Sequence, residues 1–458
     1  MKKSIVIVVI LVALAALLPI VGNSFMKDTI DTRVNELESF GLEVQTQTSQ
    51  SSYLSSKKHF EFVLQDSAVF VEYLNKYSKQ QIPPYVNAAL NGVVIGADVE
   101  YSNLPFAKAI EIEIYPMSLS KDMADEMRKE DLAFAEYVEK FLGSKGVLYH
   151  ITYNILNSEF KGFIKDIETA YSFDKDLDVD FKLKGATFSG EGDIIAPHEI
   201  KSKIKSFNVS IVNQKKRLDI DIKKLSSKSE FDSINNYETD VKIGKLDAVL
   251  SGTKSDVNIS LEKLQLEASS DDSKVSTKLA SEVSFKKLHI DSPKMSANIK
   301  SFMFEISVKG LDKERFEKFR SLSSKNNSNA SRQYQKDVQQ SLLKLLEKGL
   351  VINTKELSVK EIEIAGLDTL EGFDIKTKIT LHEDPQLSEK LLKSPLMAMA
   401  DLEFHTKMKI NKKMYSYMMK DPSMMIQLDA YAKRDGENVI FDVDFKDSKL
   451  SVNGKVLN

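Results

Sequence analysis

The residues of this chain best able to do chemistry are few and far apart. Its six histidines stand at 59, 150, 198, 289, 382 and 405. None has the His-Glu-x-x-His or other short spacing that lets neighbouring side chains share a metal ion. His150 and His289 fall on polar or edge positions of predicted strands, where a solvated imidazole is the ordinary reading. There is no Gly-x-Ser-x-Gly elbow and no Gly-x-x-x-x-Gly-Lys phosphate loop. Ser251-Gly-Thr-Lys-Ser255 lacks the first glycine of such a loop and reads as a turn between strands. Asp174, Asp176, Asp178 and Asp180 alternate, but a calcium loop needs a tight turn to converge its oxygens. This run continues as a strand, with its carboxylates on the wet face. The sequence therefore assigns no catalytic residue, no cofactor and no metal ligand. Met397-Ala-Met399 and Met414-Tyr-Ser-Tyr-Met418-Met419 are soft apolar stretches. They suit core filling or, alternatively, an adaptable surface for a partner or acyl chain.

Composition narrows the classes further. With 64 basic against 67 acidic side chains the net charge is −3, which argues against a nucleic-acid footprint. The chain has no cysteine, so a lipidated N-terminal Cys, a disulfide framework, a thiol nucleophile and a Cys-based zinc site are all excluded.

The N-terminus carries the clearest instruction. Lys2 and Lys3 precede an apolar run made of Ile5, Val6, Ile7, Val8, Val9, Ile10, Leu11, Val12, Leu14, Leu17, Leu18, Ile20 and Val21, and no charge appears before Lys27. In hydrocarbon every backbone polar group must be paired internally, so such a run is helical. Residues 1–24 read as a signal-anchor transmembrane segment. Gly22-Asn23-Ser24 also offers a cleavage site after Ser24, which leaves a processed, soluble body as the alternative. Lys2 and Lys3 set the topology. They stay in the cytoplasm, and the net acidic flank from Lys27 to Glu38 places the body outside.

The elements that follow are mostly strands. Leu177, Val179, Phe181 and Leu183 alternate with charged residues, and so do Val439, Phe441, Val443 and Phe445. Asp435-Gly436 and Asn453-Gly454 are hairpin turn signals. A smaller unit recurs with apolar residues at positions 1, 3, 6 and 8: Val241–Ala248, Ile259–Leu266, Val283–Ile290 and Leu357–Ile364. The two polar residues in its middle shift the parity, and a β-bulge or bend would bring both halves back to one face. Helices are expected from Ser67 to about Lys79, from Lys121 to Leu142, from Lys313 to about Leu322, and through Val338, Leu342, Leu345 and Leu346 to Gly349. The fold class is mainly β (α+β), with an N-terminal transmembrane helix, long curved antiparallel sheet or sheets with bulged strands, and a few packing helices. The expected organisation is an anchor over 1–24, a mixed region over 25–175 and a β-rich region over 176–320. A loop over 321–332 then leads to a helix-plus-hairpin region over 333–458.

The closing stretch, Ile440-Phe-Asp-Val-Asp-Phe-Lys-Asp-Ser-Lys-Leu450-Ser-Val-Asn-Gly454-Lys-Val-Leu, resembles that of the YdgA-like family of bacterial envelope proteins. Leu311-Asp-Lys-Glu-Arg-Phe316, the Met-Lys-Lys start and the early hairpin over Leu42 to Gln65 resemble it too. Val456 stands where that family usually has proline. The resemblance implies an inner-membrane anchor with a large periplasmic body, and it carries no established catalytic residues. Looser similarity to AsmA-like proteins implies lipid handling, an analogy at the level of fold. The expected function is a non-catalytic, membrane-anchored periplasmic protein that binds or scaffolds in the cell envelope and handles lipid. Its expected partners are the inner-membrane bilayer and a lipid or envelope protein, with no nucleic acid. The alternative is an envelope hydrolase with an unrecognised carboxylate site.

Overall fold

The computed structural model describes residues 35, 37–52, 54–78, 90–102, 109–154, 156–173, 177–192, 197–214, 216–233, 235–252, 256–323, 332–366, 369–419 and 429–457. The expected anchor, with Lys2, Lys3 and Ile5 to Val21, lies outside them, as do Ser24, Asp174, Asp176 and most of the 321–332 loop. Among the described residues no helix is long and apolar enough to cross a membrane. The chain is mainly β, and it divides into two compact units, one within Met1–Asp232 and the other formed by Ser233–Leu250 and Lys254–Asn458.

The first unit begins with the expected hairpin, β1 (Leu42–Ser51) and β2 (Ser55–Leu64), followed by α1 (Ser67–Ser78). Then come β3 (Val94–Ser102), β4 (Ala109–Ser118), α2 (Lys121–Glu130), α3 (Leu132–Gly143), β5 (Tyr149–Asn154) and β6 (Glu159–Ile164). β7 (Ile167–Phe173), β8 (Leu177–Lys184), β9 (Ala186–Gly192), β10 (Pro197–Asn213) and β11 (Lys216–Ser233) complete it. Neighbouring strands pair antiparallel in the order β1, β2, β3, β4, β5, β6, β9, β10, with β8 and β11 also against β10, and β7 on β8. The core lies on one face, where Phe60, Phe62, Ile112, Ile114 and Ile151 meet Phe134, Val138 and Leu142 of α3.

The single long helix expected over Lys121 to Leu142 is two helices. Asp131 is extended at φ −154, its N–H bonds the Met127 carbonyl that ends α2, and its carboxylate accepts from Phe134 N to start α3. An Asp that caps one helix while closing another offers the backbone a local partner, and this outcompetes continuous helix at that position.

The second unit contains β12 (Asn236–Ser251), β13 (Val257–Asp272), β14 (Ser276–Ser292), β15 (Met295–Asp312), α4 (Lys313–Ser323) and α5 (Arg332–Leu346). It continues with β16 (Leu350–Ile364), β17 (Leu370–Leu381), α6 (Leu387–Lys393), a 3-10 helix (Pro395–Asp401), β18 (Leu402–Asn411) and α7 (Lys412–Met418). The closing hairpins are β19 (Lys433–Asp435), β20 (Asn438–Lys446), β21 (Lys449–Val452) and β22 (Lys455–Leu457). From β12 to β18 each strand pairs antiparallel with the next, and β20 follows β18. The turn signals read from sequence are used: Gly436 at φ 56 between β19 and β20, and Asn453-Gly454 at φ 49 and 79 between β21 and β22. Consecutive positive φ angles are the type I′ geometry that matches strand twist.

The recurring unit explains why so many long strands stack. Its apolar spacing, two, three, two, reads the same in both directions. Two copies laid antiparallel therefore match position 1 with 8 and 3 with 6. The structure pairs them so: Val241 with Leu266, Ile243 with Leu264, Leu246 with Leu261 and Ala248 with Ile259. The strand between the third and fourth recognised copies is a further copy that sequence reading missed. Ala297, Ile299, Phe302 and Phe304 of β15 pair with Ile290, Leu288, Phe285 and Val283 on one side, and with Ile364, Ile362, Val359 and Leu357 on the other. Its first apolar residue is an alanine, the weakest hydrophobic signal of the set. The parity shift is absorbed at Lys263 and Ser301, non-glycine residues at φ 53 and 54 in mid-strand. Left-handed backbone there costs about 1 kcal/mol per residue, and it brings both halves of β13 and of β15 into line with their neighbours.

Candidate functional site

Because every copy carries the same spacing, the apolar positions line up across strands. One row runs Val241, Leu266, Val283, Phe304, Leu357, Ile375, Met408 and Phe441 from β12 to β20. A second runs Phe285, Phe302, Val359, Phe373, Ile410 and Val439. A third joins Leu246, Leu261, Leu288, Ile299, Ile362 and Leu370. Strands lie about 4.8 Å apart, so the six strands from β12 to β17 carry the first and third rows over about 24 Å.

The other face is polar and charge-compensated. Lys242 pairs with Asp240, Lys245 lies 2.8 Å from Asp247, and the Lys300 ammonium reaches Glu363 at 2.8 Å. Ser260 donates to Asp247 at 2.6 Å, and the His289 ring meets Asn298 at 2.9 Å. A row of five carboxylates (Asp240, Glu267, Glu282, Glu305, Glu356) also crosses this face. Burial, with Glu267, Glu305 and Glu356 nearby, pushes the Glu282 carboxyl up from its ordinary value.

The apolar face is covered unevenly. Over β12 to β15 its residues are half-buried, and Ile259 and Leu266 are exposed. At β18 and β20 the rows enter a buried cluster of Ile410, Tyr415, Val439, Phe441 and Val452, onto which Met414, Met418 and Met419 pack. Asn411 starts α7 by accepting from Lys413 N at 2.8 Å, and this turns the chain back over the sheet directly after β18. The Tyr415 ring lies 5.8 Å from Phe441, and its hydroxyl donates to Asp429 at 2.9 Å. Burial and that carboxylate push the Tyr415 phenol up to about 12. The second methionine stretch is thus packed over the sheet, whereas Met397 and Met399 are exposed.

The first unit carries a different constellation, and sequence reading missed it. His59, Asp98, Glu113 and His150 sit side by side on β2, β3, β4 and β5, on the face opposite the core. They help line an open pocket of about 400 Å³. Asp98 accepts from the Tyr115 hydroxyl at 2.9 Å and the Lys145 ammonium at 2.7 Å, and its other oxygen lies 2.6 Å from His59 Nδ1. Lys145 also reaches Glu113 at 3.0 Å and stands 4.0 Å from the Tyr115 ring centre. Burial alone would raise the Asp98 carboxyl, but the bonds from Lys145, His59 and Tyr115 outweigh it and hold the group below the usual range. Tyr115 is raised to about 12 by burial and by Asp98. Gly96 makes room for this: a Cβ there would stand 2.5 Å from Tyr115 Cε2. His150, read from sequence as solvated, is partly covered instead, stacked on Phe163 at 4.9 Å and 3.9 Å from Glu113. Neighbours in this row lie between 15 and 39 positions apart in sequence, so only strand pairing reveals it.

The remaining candidates lie outside this row. Asp178 and Asp180 are exposed along β8, as an alternating strand places them. His382 lies 3.4 Å from Glu403, and His405 lies 2.7 Å from Asp444 and 3.4 Å from Asp442 on an exposed part of β18 and β20.

A family model described as a bacterial protein of unknown function (DUF945) matches residues 1–458. No curated protein and no solved structure matches the chain, so the similarity to AsmA-like proteins gains no support.

Proposed function

We propose, taking as premise that the chain belongs to this DUF945 family of bacterial proteins of unknown function, that it is a membrane-tethered, non-catalytic envelope protein that shelters acyl chains on the apolar face of β12 to β17. The observation that carries the reading is the set of aligned apolar rows left half-exposed on that face. An acyl chain has no polar group to satisfy, and the residues of the rows are all apolar, so contact between the two leaves no donor or acceptor unpaired. The rows that begin at Val241 and Leu246 exceed the length of one leaflet's chains, about 15 Å of a hydrocarbon core of about 30 Å. The apolar run from Ile5 to Val21 supports a tether that holds the face beside its ligand source in the inner membrane, with Lys2 and Lys3 inside and the body in the periplasm.

The polar row of the first unit supports a structural role there. A general base needs a pKa near the working pH, whereas Asp98 is pushed the other way and is already bonded by three donors. The reading is tested by purifying the body, extracting it with organic solvent and titrating it with a fluorescent fatty acid. Co-purifying lipid and saturable binding are expected. Neither one appearing would overturn it.

A further inference from the structure

The rows of the apolar face are open over β12 to β15 and closed at β18 and β20. The closure is α7. Met414 and Met418, four residues apart on one side of this helix, pack with Met419 on the buried cluster of Ile410, Val439 and Phe441, where two rows end and on which Phe373 and Met408 also pack. The same face that is half-exposed at Phe285, Phe302 and Phe304 is thereby buried at Ile410, Val439 and Phe441. The helix is fastened at its start by the Asn411 cap and in its middle by the Tyr415 hydroxyl on Asp429. It is a fixed stop with a soft surface, because methionine is unbranched, polarisable and fills irregular gaps.

We propose that the Met414, Met418 and Met419 surface of α7 is the end wall against which the methyl end of a bound acyl chain rests, and that it sets the chain length the protein prefers. The inference rests on the acyl-shelter reading and adds a specificity determinant to it. Along the row from Val241 to Phe441 the first buried residue is Phe441, in the cluster on which these methionines pack, so a chain lying along that row from the β12 side ends at this wall. Its charged or polar head then lies at the β12 end. Chains too short to reach the wall leave the end of the row uncovered, and chains too long push a methylene out into water.

The test uses the full chain and straight-chain fatty acids from C10 to C18 that compete with a fluorescent acyl probe. The wild type is expected to show an optimum length. Met418→Trp enlarges the wall and should move the optimum to shorter chains, and Met418→Ala should move it to longer ones. Each methylene excluded or admitted changes relative affinity about fourfold, the equivalent of about 0.8 kcal/mol per buried CH₂. Opposite shifts in two variants cannot both arise from misfolding, and thermal melts identify either variant if it fails to fold. In that event Met414→Ala and Met414→Phe take its place. Binding with an unchanged optimum in folded variants would overturn the end wall alone. No binding by the wild type would overturn the acyl-shelter reading, and the end wall with it.

Discussion

Phe285 on β14 and Phe302 on β15 face each other in register with ring centres 4.9 Å apart and planes 12° from parallel, both on the half-exposed apolar face. A stacked pair that no described helix covers is a large apolar surface held in place by its own sheet. Such a pair is worth about 0.5–1.5 kcal/mol beyond area burial. If the face shelters acyl chains, Phe302→Asp should weaken fatty-acid binding at least about tenfold, since roughly 1.4 kcal/mol of apolar contact is lost. Competition with a fluorescent acyl probe measures it, and unchanged affinity would count against the face.

The Asp98 network should make the first unit acid-sensitive. Asp98 is held below the ordinary carboxylate range, so its contribution is present above the unfolded value near 3.9 and is lost as pH falls through the lowered folded value. Asp98→Asn should therefore lower the urea midpoint at pH 7, with the gap to wild type closing below about pH 4. An equal gap at every pH would contradict the assigned role.

Glu282 predicts the reverse. Its carboxyl is raised by burial and by three neighbouring carboxylates. The neutral form is favoured in the folded state, so this group's stabilising contribution exists at low pH and disappears as pH rises through the raised value. Glu282→Gln should raise the melting temperature at pH 7 and have no effect below about pH 4, as thermal scans at both pH values would show.

Gly372 is a packing requirement. A Cβ there would lie 1.6 Å from the Val359 carbonyl oxygen, so β16 and β17 approach as closely as they do only because the residue has no side chain. Gly372→Ala should destabilise the second unit by about 1–3 kcal/mol through overpacking. A denaturant midpoint equal to wild type would show that the strands separate freely.

The strands were legible where the pattern was local. The 1, 3, 6, 8 spacing announced Val241–Ala248, Ile259–Leu266, Val283–Ile290 and Leu357–Ile364, and the strands form there. Sequence also required a parity correction in the centre of the unit, which Lys263 makes with left-handed backbone in the second of these copies and Ser301 in the copy on β15. What stayed hidden was long-range. Nothing in one strand says that a spacing symmetric under reversal aligns it with both neighbours, and Ala297 masked the copy in β15. Asp131 broke a helix that periodicity alone joined, because a capping bond depends on side-chain geometry. The row from His59 to His150 needed four strands in register, and a histidine taken singly reads as solvent-facing.

The chain contains no tryptophan, so one introduced at 302 would be a clean reporter of that face. The most direct measurement is quenching of Phe302→Trp fluorescence by a fatty acid brominated along its chain, beside a Lys287→Trp control on the polar face, where Lys287 pairs in register with Lys300. Strong, saturable quenching and a blue shift at 302, with neither at 287, is the predicted result. Equal quenching at both positions, or none at 302, would contradict an apolar face that shelters acyl chains.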